Sequence, residues 1–144
     1  MAGYSGTPLA KKLGIKDDFR VALLHLPDEV RVEISGALEK CRLQSLASKN
    51  KDFDFIFLFT KSRAALELEL PAAANALAPA GMLWISWPKK SSGVSTDLTE
   101  NVIREAGLNA GLVDIKVCAV NDVWSGLKFV IPVRNRPPAK RRSV

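Results

Sequence analysis

Apolar residues along this chain come in two kinds of run, short and continuous or spaced every three to four positions, and the two kinds alternate. Arg20-Val21-Ala22-Leu23-Leu24-His25-Leu26 is continuous and is stopped by Pro27, the signature of a strand buried on both faces of a parallel sheet. Pro27-Asp28-Glu29 then opens a helix, because proline fits the first turn and acids favour the positive helix end. Val30, Ile34, Ala37 and Leu38 recur at helical spacing, which predicts a helix over residues 28–40 with one face against the sheet. Cys41, Leu43, Ser45 and Ala47 alternate with polar neighbours and predict a weaker strand. Residues 52–60 are rich in phenylalanine and read as the clearest strand of the chain.

Ser62 can cap a helix from Arg63, and Pro71 divides the following region into one helix near 63–69 and a second near 71–78. Pro79-Ala80-Gly81 closes the pair, and Met82 to Trp87 is the next strand, ended by Pro88 and followed by a polar loop over 88–97. Asp97 with Glu100 three residues on predicts the cap of a helix from Leu98 to Ala106, with Gly107 as its stop. Two strands, 113–120 and 127–133, are joined by too few residues for a parallel crossover and so form an antiparallel hairpin. Ahead of all this, Gly3 to Pro8 reads as loop and Leu9 to Leu13 as one helical turn ended by Gly14.

This order predicts an α/β, Rossmann-like three-layer sandwich: a mostly parallel sheet of about six strands with a C-terminal antiparallel hairpin. Residues 1–133 make one domain, with 1–16 as an N-terminal loop segment, and 134–144 a basic, disordered tail. Phe53-Asp54-Phe55-Ile56-Phe57-Leu58, a helix, and then Ala76-Leu77-Ala78-Pro79-Ala80-Gly81-Met82-Leu83-Trp84-Ile85 resemble the second half of a class I S-adenosylmethionine-dependent methyltransferase. That resemblance covers roughly residues 52–133 and implies a truncated methyltransferase fold, because a complete one has one more strand and helix before the Phe53 strand. The whole chain also resembles a small bacterial family of unknown function, on Gly3-Tyr4-Ser5-Gly6-Thr7-Pro8-Leu9, Trp87-Pro88-Lys89-Lys90 and Thr96-Asp97-Leu98-Thr99-Glu100.

Charge narrows the partners. The net charge of +6 includes five basic residues after position 133, and without them 16 basic face 15 acidic residues. The body is therefore near neutral, and a tail without interleaved aromatics gives little ground for nucleic-acid binding. The longest apolar stretch falls far short of the ~20 residues of a membrane span. The N-terminus lacks an apolar signal region, and two cysteines make no disulfide framework, so a cytoplasmic protein with reduced thiols is expected.

Ligands of open α/β sheets sit outside the carboxyl ends of the strands. With the first, third and fourth strands adjacent, Lys61, Arg63, Lys89 and Lys90 would converge there with Ser91 and Trp87, enough to hold a small anionic ligand. Trp84 and Trp87 face opposite sides, which assigns Trp84 to the core and leaves Trp87 and Trp124 as anchors for a ligand or partner. His25 is the sole histidine, so neither a histidine pair for a metal nor a recognisable catalytic set exists, and Cys41 and Cys118 read as small apolar residues. No glycine follows the first strand until Gly36, whereas a nucleotide or S-adenosylmethionine site needs glycines directly after it. S-adenosylmethionine is therefore not the expected cofactor. The sequence supports a non-catalytic or regulatory module that binds a small anionic ligand or a protein, a second copy included. The alternative is an enzyme, either a degenerate methyltransferase-like one with a rebuilt cofactor site or one using His25 with the Lys61 and Lys89–Lys90 loops.

Overall fold

The computed structural model describes residues 8–47 and 52–136. The short helix α1, Leu9–Leu13, ends where Gly14 takes φ 88°, a backbone that side chains disfavour. Strand β1, Arg20–Leu24, leads through helix α2, Asp28–Leu38, to the two-residue strand β2, Arg42–Leu43. Strand β3, Phe53–Phe59, leads through helix α3, Arg63–Asn75, to strand β4, Leu77–Pro88. Helix α4, Glu100–Asn109, precedes the hairpin of β5, Val113–Ala119, and β6, Trp124–Val130. The six strands lie in the order β2-β1-β3-β4-β6-β5, with β2, β1, β3 and β4 parallel and the hairpin strands antiparallel.

Connection handedness decides which face each helix covers. From β1 the chain steps one way along the sheet to β2, and from β3 it steps the other way to β4. Right-handed crossovers then put α2 and α3 on opposite faces. Both faces are accordingly apolar. On one side Val30, Ile34 and Leu38 of α2, with Leu9 and Leu13 of α1, pack on Phe55, Phe57 and Trp84. On the other, Leu66, Leu70 and Ala73 of α3 and Ile103 of α4 pack on Ile56, Leu58, Leu83 and Phe129. The acid inside the β3 run, Asp54, accepts the backbone N–H of Arg20 at 2.8 Å, so the polar residue ties the edge of β1 to its neighbour.

Four expectations need correction. α3 is one helix, not two: Pro71 stands inside it, exposed, while Leu66, Leu70 and Ala73 continue a single buried face. Removing the Glu67 carbonyl's partner on the solvent side costs less than breaking that face, so tertiary burial overrides the local breaker. Residues 79–81 belong to β4 rather than to a closing turn, but they are irregular: β3 advances from Phe53 to Phe55 while β4 advances from Leu77 to Met82. The cap of α4 is Thr99, whose hydroxyl accepts from Val102 N at 3.2 Å, and the helix runs through Gly107 to Asn109. Asp97 is used elsewhere. Trp87, read as a surface anchor, is only 6% exposed and packs in the core, whereas Trp124, equally covered, lines a crevice.

The shorter differences are at ends: β2 is shorter than residues 41–47, and β6 begins at Trp124 because Asn121 Oδ1 accepts the N–H groups of Val123 and Trp124 and tightens the hairpin loop. The expected N-terminal loop over 1–7 and the tail over 137–144 lie outside the described residues. Arg134 and Asn135 close a short 3₁₀ turn, and Arg136 Nε donates to Ile131 O at 2.9 Å. No helix among the described residues is long and apolar enough to cross a membrane.

Gly107 is set by close approach, since a β-carbon there would stand 2.0 Å from Cε1 of the fully buried Phe129. Gly107→Ala is therefore expected to destabilise by about 1–3 kcal/mol through overpacking, although alanine is the better helix former. A lowered urea midpoint with unchanged slope would register this.

Candidate functional site

The two crossovers part company between β1 and β3, and ligand crevices in open α/β sheets form at such a switch point. A crevice of about 610 Å³ opens there. His25, Pro27 and Glu29 line it from the β1–α2 turn, and Phe59 to Ser62 from the end of β3. Ala65 and Glu69 of α3, Val94 of the loop after β4, and Val123 and Trp124 of the hairpin complete the wall. Its volume falls within the ~300–1,000 Å³ of small-molecule sites.

The turn out of β1 is sharp. His25 has φ 59°, a left-handed backbone that histidine tolerates better than most side chains. Its ring stands at the crevice mouth, 64% exposed, with Nε2 2.7 Å from Oε2 of Glu69. Glu69 falls on the crevice side of α3 because Ser62, Ala65 and Glu69 repeat at spacings of three and four. The contact ties the turn after β1 to α3 at the crevice mouth.

The end of β3 is held by its own hydrogen bonds. Thr60 Oγ1 donates to Ser62 O at 3.2 Å, and Ser62 Oγ accepts from Ala65 N at 3.1 Å. The loop after β4 latches onto the same place: Thr96 Oγ1 donates to Lys61 O at 2.6 Å, and Asp97 Oδ1 accepts from Arg63 N at 2.8 Å. A helix start offers amide donors to an anion. Here the chain's own Asp97 carboxylate already takes one of them and Ser62 another.

Of the six residues expected to converge, Lys61 lines the crevice. Arg63 turns outward to Glu67, at 3.4 Å, beside a separate groove of about 240 Å³ between α3 and α4. Lys89 is fixed by its backbone N–H to Val123 O at 2.6 Å, and Lys90 and Ser91 form the 3₁₀ turn after it. Trp87 is packed in the core beneath α3 and α4. None of these last four lines either cavity. Glu69, Phe59 and Val94 were not anticipated; the helical spacing of Ser62, Ala65 and Glu69 is the signal that would have found Glu69.

The turn that would cradle a cofactor's phosphate or sulfonium end in a glycine-rich site carries His25, Leu26 and Pro27, with Asp28 and Glu29 in the first turn of α2. Burial pushes the Cys118 thiol up, and burial with the nearby Asp17 charge does the same to Cys41. Among the described residues no three of His, Cys, Asp and Glu gather as a metal would require.

The sequence profile of a family described as protein of unknown function (DUF3052) matches residues 10–133. No curated protein matches the chain. Among solved structures, a SAM-dependent methyltransferase from Aquifex aeolicus superposes with TM-score 0.59 at 12% identity, over 85% of this chain and 88% of that one. A TehB-like SAM-dependent methyltransferase from Corynebacterium glutamicum gives TM-score 0.54 at 12% identity, over 91% of both chains. The [4+2]-cyclase SpnF gives 0.56 at 10% identity, over 87% of this chain and 79% of that one. At such identities the likeness is one of fold. A cyclase among the matches illustrates that this fold carries more than one chemistry.

Proposed function

The chain belongs to the family of proteins of unknown function designated DUF3052, and from that premise we propose that it is a non-catalytic module of methyltransferase-like fold that binds a small molecule in the crevice between β1 and β3. The observation that carries this is the crevice itself, open at about 610 Å³ at the switch point of a sheet whose first turn carries no glycine. S-adenosylmethionine held as in the methyltransferases does not fit, because side chains at His25, Leu26 and Pro27 stand where that turn needs bare backbone. The wall mixes apolar surface from Phe59, Trp124 and Val94 with His25, Lys61, Glu29 and Glu69. A ring-bearing ligand with polar groups of both signs suits it better than a bare anion, since the two carboxylates oppose the latter.

The second reading, a degenerate enzyme, is favoured by one observation: the His25–Glu69 pair at the crevice mouth, an imidazole oriented by a carboxylate as general acid–base sites require. One experiment separates the two. The protein and an Ala65→Phe variant, which narrows the crevice, are melted with S-adenosylmethionine, nucleosides and aromatic amino acids, and the mixtures are assayed for product. The module reading expects stabilisation of the unaltered chain, about 2.7 kcal/mol at 100 times the dissociation constant, and its loss in the variant without turnover. Stabilisation that survives Ala65→Phe removes the crevice as the site. Turnover that disappears in His25→Gln establishes the enzyme instead.

A further inference from the structure

Helices α3 and α4 both run from the carboxyl ends of the parallel strands back to their amino ends, and a groove of about 240 Å³ lies between them. Leu66, Leu70, Val102 and Ala106 make its floor, and the exposed Glu67 and Glu105 stand on its rim. Arg63 answers Glu67 at 3.4 Å, whereas Glu105 is in no ion pair among the described residues. Neither helix carries a basic residue in its last turn, where the outward carbonyls favour one. The groove is thus apolar below, acidic at the edge, and closed by two helix ends that attract cations.

The chain itself arrives at those helix ends. Val113 pairs with Val130 in register, which brings Ile131 beside Leu112, two positions past Ala110 in the groove wall. Ile131 packs on the α3 and α4 side of the core, and Arg136 Nε folds back to its carbonyl at 2.9 Å, which keeps residue 136 within one side chain's length of that point. Arg136 is extended, with φ −75° and ψ 132°, as a residue before proline must be. Residues 137–144, Pro-Pro-Ala-Lys-Arg-Arg-Ser-Val, follow with three cations and no acid. From Pro137 to Lys140 a polyproline II chain advances about 9 Å. Along α4, the five residues from Ala110 back to Glu105 span about 7.5 Å. The first basic residue of the segment therefore comes level with the unanswered carboxylate.

We propose that residues 137–144 dock in the groove between α3 and α4 of their own chain, with Pro137, Pro138 and Ala139 over its apolar floor and Lys140 at Glu105. The groove shares no lining residue with the crevice. So short a connection from Arg136 gives the segment a high effective concentration at its own groove, which favours that groove over a second copy's. NMR amide spectra of the full chain and of a chain ending at Arg136, each at two protein concentrations, test the proposal. The two proteins are expected to differ at Leu70 and Ala110, independently of concentration, and the difference shrinks at high salt. Glu105→Lys, an exposed change that leaves the core untouched, moves Leu70 of the full chain toward its position in the shortened one. Trypsin cleavage after Lys140, Arg141 or Arg142 is expected to be about fivefold faster in that variant, because cleavage tracks the undocked population. Differences confined to residues 131–136, or equal cleavage in parent and variant, overturn the proposal. Shifts that grow with protein concentration assign the groove to the segment of a second copy and overturn docking within one chain.

Discussion

Trp84→Ala is expected to cost about 3–5 kcal/mol, the range for removing a large aromatic side chain from a close-packed interior. Trp84 is fully buried in β4 and belongs to the cluster that joins α1 and α2 to the sheet. It also does what no aliphatic residue could, because Nε1 donates at 2.8 Å to the carbonyl of Leu13, the last residue of α1. A five-residue helix has no stability of its own, so α1 holds its position through Leu9, Leu13 and this bond. Trp84→Phe separates the two contributions: it keeps a ring in the core and orphans the Leu13 carbonyl at a cost of about 1–3 kcal/mol. Urea denaturation gives the total, and trypsin cutting at Lys11, Lys12 or Lys16 reports the release of α1. A Trp84→Phe protein with undiminished stability and unchanged resistance to trypsin would show that the hydrogen bond does not hold the helix.

The parts of this fold legible in the sequence are those where one local pattern had no competitor. Arg20–Leu24, Phe53–Phe59 and Met82–Trp87 are continuous apolar runs between breakers, and a residue buried on both faces of a sheet has few alternatives. The misread elements are those where two signals compete. Pro71 marks a break, yet Leu66, Leu70 and Ala73 already commit the helix to the sheet. Asp97 and Thr99 both qualify as caps; Thr99 caps α4, while Asp97 reaches across to α3, a partner 34 positions away that no local rule can supply. Gly107 resembles a helix stop, but its missing side chain makes room for Phe129 from a strand not yet formed at that point of the chain.

The candidate site divides along the same line. The adjacency of the first, third and fourth strands was legible from the order of elements, and the structure pairs β1 with β3 and β3 with β4. Where a lysine side chain ends up depends on the loop that carries it. The backbone bond from Lys89 to Val123 and the 3₁₀ turn at Lys90–Ser92 hold these residues off the crevice lining, which the loop after β4 reaches only at Val94. Lys116 and Lys128, which stand opposite each other, come from strands whose register could not be read before the hairpin was placed.

Trp124→Ala tests the crevice from the opposite wall to Ala65 and is expected to cost about 3 kcal/mol, the low end for a buried tryptophan because the void opens into the crevice and water can enter it. Trp124 starts β6, is 6% exposed, and meets the Phe59 ring edge-on with centroids 5.0 Å apart and planes at 82°. Such a pair contributes about 0.5–1.5 kcal/mol beyond burial. Trp124→Phe retains a ring against Phe59 and much of the buried area, so it should lose no more than about 1.5 kcal/mol while reshaping the crevice wall. If ligands enter between β1 and β3, the alanine variant loses affinity at least tenfold and the phenylalanine variant changes which ring-bearing ligands are accepted. Both are read by calorimetry at a temperature where circular dichroism shows each variant folded. Unaltered affinity in a folded Trp124→Ala protein would place the ligand away from this crevice, and would leave the His25–Glu69 pair as a hydrogen bond that merely pins the turn after β1 to α3.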